Sequence, residues 1–308
     1  MTSTQGKNVT TVVVTYNPDI LRLSLLCQAA QQQTGQIEIV DNGSVNRILL
    51  AIRKLAAESA GHIALHELGS NQGIGAAQNV GIAVARQRNS DYVLLLDHDS
   101  IPEPDMVSKL LAAIEDPSPH GRPIAAVGPR YTDMGHESNS APFVRLEGSR
   151  RVRCPCEQPD QRMEVEHLIA SGCLISMAAL NDIGDMNEAL FIDYVDIEWC
   201  LRATHAGYCL LGVCDAHMQH RLGEAGKEFL GRPISQHAPL RNFYMFRNAL
   251  LLCRMPHVSR QWKMVETKSL VFRAVSTLAT QSPRLSYMKM IAQGLIDGLR
   301  GKQGPRRA

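Results

Sequence analysis

The chain has 308 residues, 44% hydrophobic and 20% charged, with a formal net charge of +2 at pH 7. That composition excludes a disordered or collagen-like chain and leaves enough apolar side chains for a sizeable core. No apolar run of about 18 residues predicts a membrane-spanning helix, and MTSTQGKNVT has no basic stretch leading into an apolar one, so a cytoplasmic protein is expected.

The small net charge conceals a polarised molecule. Residues 241–308 carry thirteen Lys or Arg against two acids, Glu266 and Asp297, whereas residues 1–240 carry nineteen against twenty-eight. A basic C-terminal segment favours an anionic partner: nucleic acid, phospholipid head groups or a phosphorylated substrate. Beyond residue 260 the aromatics are Trp262, Phe272 and Tyr287, too few for a base-stacking platform, so nucleic acid is not expected. The eight scattered cysteines are expected to be reduced, core-filling thiols. Cys154 and Cys156 form a CxC pair without a second pair at zinc-site spacing.

In chain order, Val9 to Thr15 is a β-branched run that predicts a strand buried on both faces, stopped by Pro18. A helix follows, with Leu21, Leu25 and Leu26 expected on one side. IEIVDNGS is a second strand closed by Asp41 and an Asn42-Gly43 turn. RILLAIRKLAAES reads as a helix, HIALHEL as a short strand, and GSNQGIGAAQNVGIAVARQR as a glycine-rich loop running into a helix. DYVLLLDHDS is a fourth strand and PDMVSKLLAAIE a further helix. This alternation predicts an α/β doubly wound, mainly parallel sheet, with ligands beyond the carboxyl ends of the strands. Residues 116–165 hold seven prolines and read as loops with short strands. HLIASGCLISM is a strand pair or strand-turn, FIDYVDIEWCLRATHAG begins acidic and becomes helical, and YCLLGVCDAHMQH is a strand. From Arg241 the chain reads as three helices, LRNFYMFRNALLLCR, Trp262 to Thr280 and Leu285 to Leu299.

Three clusters carry chemistry. Asp97-x-Asp99 ends an apolar strand, and paired carboxylates suit Mg²⁺ or Mn²⁺, which take their remaining ligands from phosphate oxygens and water. GSNQGIGAAQNVG would let backbone N–H groups approach an anion, although it is neither a dinucleotide fingerprint nor a P-loop. Asp193, Asp196 and Glu198 crowd together before Trp199. They read either as acids favoured by a helix N-terminus or as a general base able to take a hydroxyl proton. His217 and His220 follow at a strand end, where an imidazole can complete a metal shell or touch phosphate. Arg-Asn recurs at 241–242 and 247–248 on different helix faces, and one arginine is expected to reach a pyrophosphate.

Taken in this order, VVVTYN, IVDNGS, the loop from Asn71, DHD, SGCLIS, FIDYVDIEWCLR and HRLGE resemble family 2 inverting glycosyltransferases of the GT-A fold, and within them the bacterial dTDP-L-rhamnosyltransferases. The resemblance spans roughly residues 9–250. It implies a Rossmann-like, mainly parallel sheet flanked by helices, with a helical, basic C-terminal extension. The catalytic domain would cover residues 1–240, with a nucleotide-sugar half over about 9–115 and an acceptor half over about 116–240, and residues 241–308 would form the helical region.

The resemblance also implies site residues. Thr15, Tyr16 and Asn17 lie near the nucleotide, and Asp41 reads the pyrimidine. Asn71, Gly73, Gly75 and Asn79 form the loop closing on nucleotide and sugar. Asp99 ligates the metal, Asp97 serves ribose or metal, His220 touches metal or diphosphate, and Arg247 is the arginine assigned to the donor. Ser171, Gly172 and Trp199 lie on the acceptor side. The base is Asp196, with Asp193 and Glu198 as rivals. Val195 stands where many relatives carry a Glu before the base, which keeps Asp193 in contention. The implied activity transfers L-rhamnose from dTDP-L-rhamnose, with Mg²⁺ or Mn²⁺, to a lipopolysaccharide-core, O-antigen or other polysaccharide precursor. The alternatives are a rhamnolipid-type glycolipid acceptor or another dTDP- or UDP-sugar donor. The basic helices would then rest on the anionic cytoplasmic face of the inner membrane.

Overall fold

A computed structural model of the chain describes residues 7–117, 121–133, 136–140, 143–220, 228–229, 232–233 and 237–306, with backbone alone at 133, 136–140, 220, 228 and 232–233. The elements run β1 (Val9–Thr15), α1 (Ile20–Gln31), β2 (Gln36–Asp41), α2 (Asn46–Glu58), β3 (Ile63–Glu67), α3 (Ile74–Gln87), β4 (Tyr92–Asp97) and β5 (Ile101–Pro102). They continue with α4 (Met106–Glu115), β6 (Ile124–Asp133), β7 (His136–Ser140), β8 (Phe143–Glu147), β9 (Arg150–Cys154), β10 (Arg162–Glu164), β11 (Cys173–Ser176) and α5 (Met177–Ile183). A short 3₁₀ turn, Glu188–Leu190, leads to α6 (Val195–His205), β12 (Cys209–His220), β13 (Glu228–Phe229), β14 (Arg232–Pro233), α7 (Pro239–Arg254), α8 (Arg260–Thr280) and α9 (Arg284–Leu299).

The main sheet has the order β10-β12-β6-β11-β4-β1-β2-β3. β3, β2, β1 and β4 are mutually parallel, β11 runs against β4 and β6, and β6 and β12 are again parallel. Six strands therefore point one way. The chain leaves β1 toward β2 and β3, then returns to β4 on the other side of β1. That reversal opens a crevice at the carboxyl ends of β1 and β4, where Thr15 and Asp97 sit.

Alternation divides the core between the two faces of the sheet. Val13, Leu94, Leu96 and Leu174 pack with α1 and α4, while Val12, Val14, Leu95 and Ile175 pack with α3, α5 and α6. The second core runs on without a break into α7, α8 and α9 through Phe246, Leu252, Trp262, Leu270 and Ile291. On α9, Gly294 and Gly298 let the backbone approach α7, since a Cβ there would lie 2.5 Å from Phe243 O and 2.8 Å from Arg247 O.

Three sequence expectations change. On α1 the buried side is Leu23, Leu26, Cys27 and Ala30, while Leu21 is 71% exposed and Leu25 also faces solvent. Asp19 caps the helix through Leu21 N and Arg22 N, and this start fixes the helical phase. The proline-rich region also holds a ten-residue strand, β6, at the centre of the sheet. Pro129 is accommodated where the β6–β12 register shifts between Val213 and His217. Finally, Cys156 and Cys214 are joined by a disulfide, because the turn after β9 brings positions 58 residues apart to a Cα–Cα distance of 5.6 Å. The six other cysteines are free thiols.

α3 lies close on β1 at Gly81, where a Cβ would fall 2.3 Å from Cγ1 of Val12. Val12 is buried, and its β-branched side chain has no free rotamer. Gly81→Val is therefore expected to cost about 2 kcal/mol of stability, read as a lower urea midpoint with unchanged slope.

Candidate active site at the carboxyl edge of the sheet

The ends of β1 and β2 are knitted together by one carboxylate. Asp41 Oδ1 accepts from Thr15 Oγ1 (3.0 Å) and Ser44 Oγ (2.5 Å), and Oδ2 from Gly43 N (3.2 Å) and Ser44 N (2.9 Å). These four donors fill its acceptor positions, and Asp41 is 1% exposed. Asn17, in a left-handed conformation, accepts from Val45 N (2.9 Å), while Tyr16 beside it is half exposed at the crevice mouth. The loop before α3 joins the same network. Asn42 Nδ2 donates to Asn71 Oδ1 (3.2 Å), Gly73 N donates to that same oxygen (3.0 Å), and Gln72 N donates to Asn42 Oδ1 (2.8 Å).

Gly73 needs its φ of +94°, and any Cβ there would lie 2.6 Å from Phe191 O, the atom that accepts from Ile74 N. Gly75 packs closely on Asn187 O and the Val195 side chain. Asn79 faces protein rather than the crevice: its amide bonds Met186 N and O and the Glu188 carboxylate (2.8 Å). It clamps the segment after α5 onto α3.

Asp97 is the last residue of β4, while His98 and Asp99 lie in the turn beyond it, all three partly buried. Strand alternation therefore does not govern His98 and Asp99. Arg22 donates to Asp99 O (3.0 Å). Beneath the turn, Ser171 Oγ accepts from Asp97 N (3.1 Å) and lies 2.6 Å from Ser100 Oγ. Ser171 is buried, and Gly172 packs against Pro129, so this pair supports the aspartate turn from inside. Two carboxylates fit a hard divalent cation that completes its shell with diphosphate oxygens and water. Among the described residues no group of three His, Cys, Asp or Glu is assembled as a cation cage. The side chain of His220 lies outside the described residues. His217, on β12, accepts from Glu103 N through its carbonyl, on the α4 side of the sheet.

The three acids entering α6 have different partners. Asp193 is held by Arg241, with Nη2 at 2.8 Å and Nε at 3.0 Å from Oδ1. Glu198 is buried and accepts from Arg202 Nε and Nη2, both at 3.0 Å, with His257 Nε2 at 3.2 Å. Asp196 accepts from Ile197 N (2.9 Å) and from the backbone of Ala170, and has no side-chain hydrogen-bond partner among the described residues. It borders a small, mainly apolar cavity with Gln78, Leu168, Met186 and Trp199. Burial raises its pKa above the usual carboxylate value. Asp193 adds to that shift, while His167 and the two backbone groups oppose it. Ala170 and Ser171 are adjacent, so one segment touches both Asp196 and Asp97.

Two predicted contacts are corrected. Trp199 is 1% exposed, with Nε1 donating to Gly184 O (2.9 Å), so it is core rather than acceptor surface. Arg247 is also 1% exposed and bonds Leu190 O (2.9 Å), Gly304 O (2.5 Å) and Asn248 Oδ1 (2.9 Å), so it cannot reach a pyrophosphate. The arginine at the site is Arg241, on the helix face the sequence could not orient. Burial opposes its charge, but Asp193 first, with Asp97 and Asp196 after it, holds the guanidinium protonated. One cation thus faces all three acids. Gln78, buried on α3, lines the cavity beside Asp196, a place that nothing in its sequence context signals.

Residues 10–181 match the sequence profile of Glycosyl transferase family 2. Along 97% of its length the chain is 30% identical to the dTDP-rhamnosyl transferase RfbF of Shigella flexneri, covering 98% of that protein. It is similar in fold to S. aureus TarS 1-349 in complex with UDP-GlcNAc, with a TM-score of 0.60, 15% identity, and coverage of 96% of this chain and 81% of that one. It is also similar to the mannosyltransferase PcManGT of Pyrobaculum calidifontis in complex with GDP-Man and Mn²⁺, with a TM-score of 0.58, 13% identity, and coverage of 97% and 88%. The likeness to these two structures is one of fold.

Proposed function

This chain belongs to glycosyl transferase family 2 and has the GT-A fold, and from that premise we propose that it is an inverting rhamnosyltransferase using dTDP-L-rhamnose, with Asp196 as general base. The observation that carries the base assignment is the inequality of the three acids. Asp193 and Glu198 are neutralised by arginines, whereas Asp196 keeps an unpaired carboxylate made more basic by burial. The donor rests on the similarity to RfbF along the whole chain.

In this reading Asp196 takes the proton of the acceptor hydroxyl. The freed oxygen attacks the anomeric carbon, and the bond from that carbon to the diphosphate oxygen breaks, leaving its electron pair on dTDP. Attack opposite the leaving group inverts the centre without a covalent enzyme intermediate. Asp97 and Asp99 would hold Mg²⁺ or Mn²⁺, which when bound offsets charge on the diphosphate; the Mn²⁺ of PcManGT supports this choice. Arg241 supplies a fixed positive charge at the same edge. Tyr16, half exposed just beyond β1, would cover the nucleobase.

The acceptor is proposed to be a cell-envelope saccharide carried on lipid, met at an anionic membrane surface. No helix among the described residues is long and apolar enough to cross a membrane. Yet α8 presents Met264, Lys268, Val271 and Val275 to solvent at helical spacing, and α9 presents Leu285, Met288, Lys289, Ile296 and Leu299. Val271 is 62% and Leu285 72% exposed. Both acids of the region, Glu266 and Asp297, are buried, so the outer surface keeps its positive charge. Other residues of these helices do not join that surface: Lys263 and Arg273 turn inward, to Met255 O and Met245 Sδ, and Ile291 is buried.

Asp196→Asn is expected to lower transfer by about 10²–10⁴-fold while dTDP binding, measured by calorimetry, stays intact. Near-normal turnover would sink the base assignment. Transfer needs ionised Asp196, and its pKa is raised, so the rate should climb with pH through a limb above the ordinary carboxylate value of about 4. A donor screen tests the sugar: dTDP release from dTDP-L-rhamnose is expected, and release of UDP alone from UDP-sugars would overturn that assignment while leaving the family intact. The Val271→Glu, Leu285→Glu double variant should lose flotation with phosphatidylglycerol vesicles, and unchanged flotation would remove the membrane reading.

A further inference from the structure

The inner face of α8 carries a buried acid that the proposed reaction does not use. Glu266 is 2% exposed, and each carboxylate oxygen has a partner. Oε1 accepts from the Tyr194 hydroxyl at 2.5 Å, and Oε2 accepts from Arg151 Nη1 at 3.0 Å. Tyr194 is the left-handed residue that opens α6, two positions before Asp196. Arg151, on β9, lies over the Trp262 ring with its guanidinium carbon 5.6 Å from the centroid, and donates through Nε to Glu166 Oε1 at 3.1 Å. Tyr194 meets the same Trp262 edge-on at 6.5 Å. Next in the chain after Glu166 comes His167, which bears electrostatically on Asp196. A continuous buried path thus joins α8 to both sides of Asp196.

A buried phenol–carboxylate–guanidinium triad needs a reason. A carboxylate removed from water is expensive unless fully paired, and an apolar trio would pack more simply here. What an apolar trio lacks is direction, because the hydrogen bond to Tyr194 holds a backbone that an L-residue rarely adopts. We propose that Glu266 is a positioning residue for transfer, fixing through Tyr194 the turn that aims Asp196. This rests on Asp196 being the base.

The groups around the two acids are these. Asp196 is faced by His167, Asp193 and Arg241, and by the Cys173 and Cys200 thiols, which burial keeps neutral, with Cys200 pushed up to about 12. Tyr194 and Glu266 are faced by Arg151 and Arg273, and burial with the Glu266 charge keeps the Tyr194 phenol protonated. If the turn loosens, water reaches Asp196 and its raised pKa falls back toward the ordinary carboxylate value.

The test uses Tyr194→Phe, Glu266→Gln and the double variant of the full chain, followed by dTDP release from dTDP-L-rhamnose with water as acceptor. Each single variant is expected to lower kcat at least about tenfold, with KM for the donor unchanged. The acid limb should move to lower pH, and the double variant should be no worse than the poorer single one, since both substitutions act on the same bond. Folded variants with the original kcat and acid limb, or with losses that multiply in the double, would overturn the proposal. Asp196→Asn in the same assay separates the two readings. Full turnover there removes Asp196 as base, whereas lost turnover there with unaltered Tyr194→Phe and Glu266→Gln removes the clamp alone.

Discussion

The site depends on one strained turn. Phe191, Asp193 and Tyr194 have φ of 66°, 63° and 66°, between the 3₁₀ turn and α6. Left-handed conformations at such bulky residues cost on the order of 1–3 kcal/mol each and persist only where the surroundings impose them. The surroundings do so from four directions. Asn248 donates to Leu190 O, Ile192 O and Asp193 O, Arg247 donates to Leu190 O, Ile74 N donates to Phe191 O, and Tyr194 is tied to Glu266. Hydrogen bonds of this kind contribute about 1 kcal/mol each, more where a charge is involved, so their sum is of the same size as the strain. The turn lets Asp193 face Arg241 while Asp196, three residues on, points into an apolar cavity.

α7 to α9 are built into the candidate site rather than appended to it. Arg241, Asn248 and Glu266 all come from them, and the C-terminal tail reaches back as well, with Gly304 N on Ala189 O. The outer faces of α8 and α9 are apolar and basic while the inner face of α8 holds the turn. In the proposed reading, the same helix rests on a surface and orients the base.

Much of this was legible because periodicity and strand ends are local properties. β1, β2 and β4 follow from unbroken β-branched or apolar runs, and Asp41 and Asp97 sit at the carboxyl edge because those runs stop there. α7, α8 and α9 follow from helical spacing, and Ser259 caps α8 through Trp262 N. What could not be read was pairing across the chain. Arg241 and Arg247 differ by six residues and look alike in sequence, and only the packing of α7 on α9 buries one and turns the other to Asp193. The same holds for Glu198, whose partners are Arg202 and His257, and for the Cys156–Cys214 bond. On α1, spacing pointed to Leu21, Leu25 and Leu26 as one face, and the helix that starts at the Asp19 cap buries Leu23 and Leu26 instead.

The two sides of the crevice are prepared differently. On the nucleotide side, Asp41, Asn42 and Asn71 hold three loops to one another without any ligand, and Asp41 has no acceptor position left over. Its first contribution is thus to hold the shape of the cradle, and a nucleobase that bonded it would have to displace a protein donor. On the other side, Asp196 has backbone donors only, and its charge is disfavoured by burial. In the proposed reaction, rigidity serves the donor side and a carboxylate kept hungry for a proton serves the acceptor side, which divides binding from proton transfer. A group spared from ion pairing is the one whose basicity remains available, which is why the arginines beside Asp193 and Glu198 matter as much as the carboxylate they leave alone.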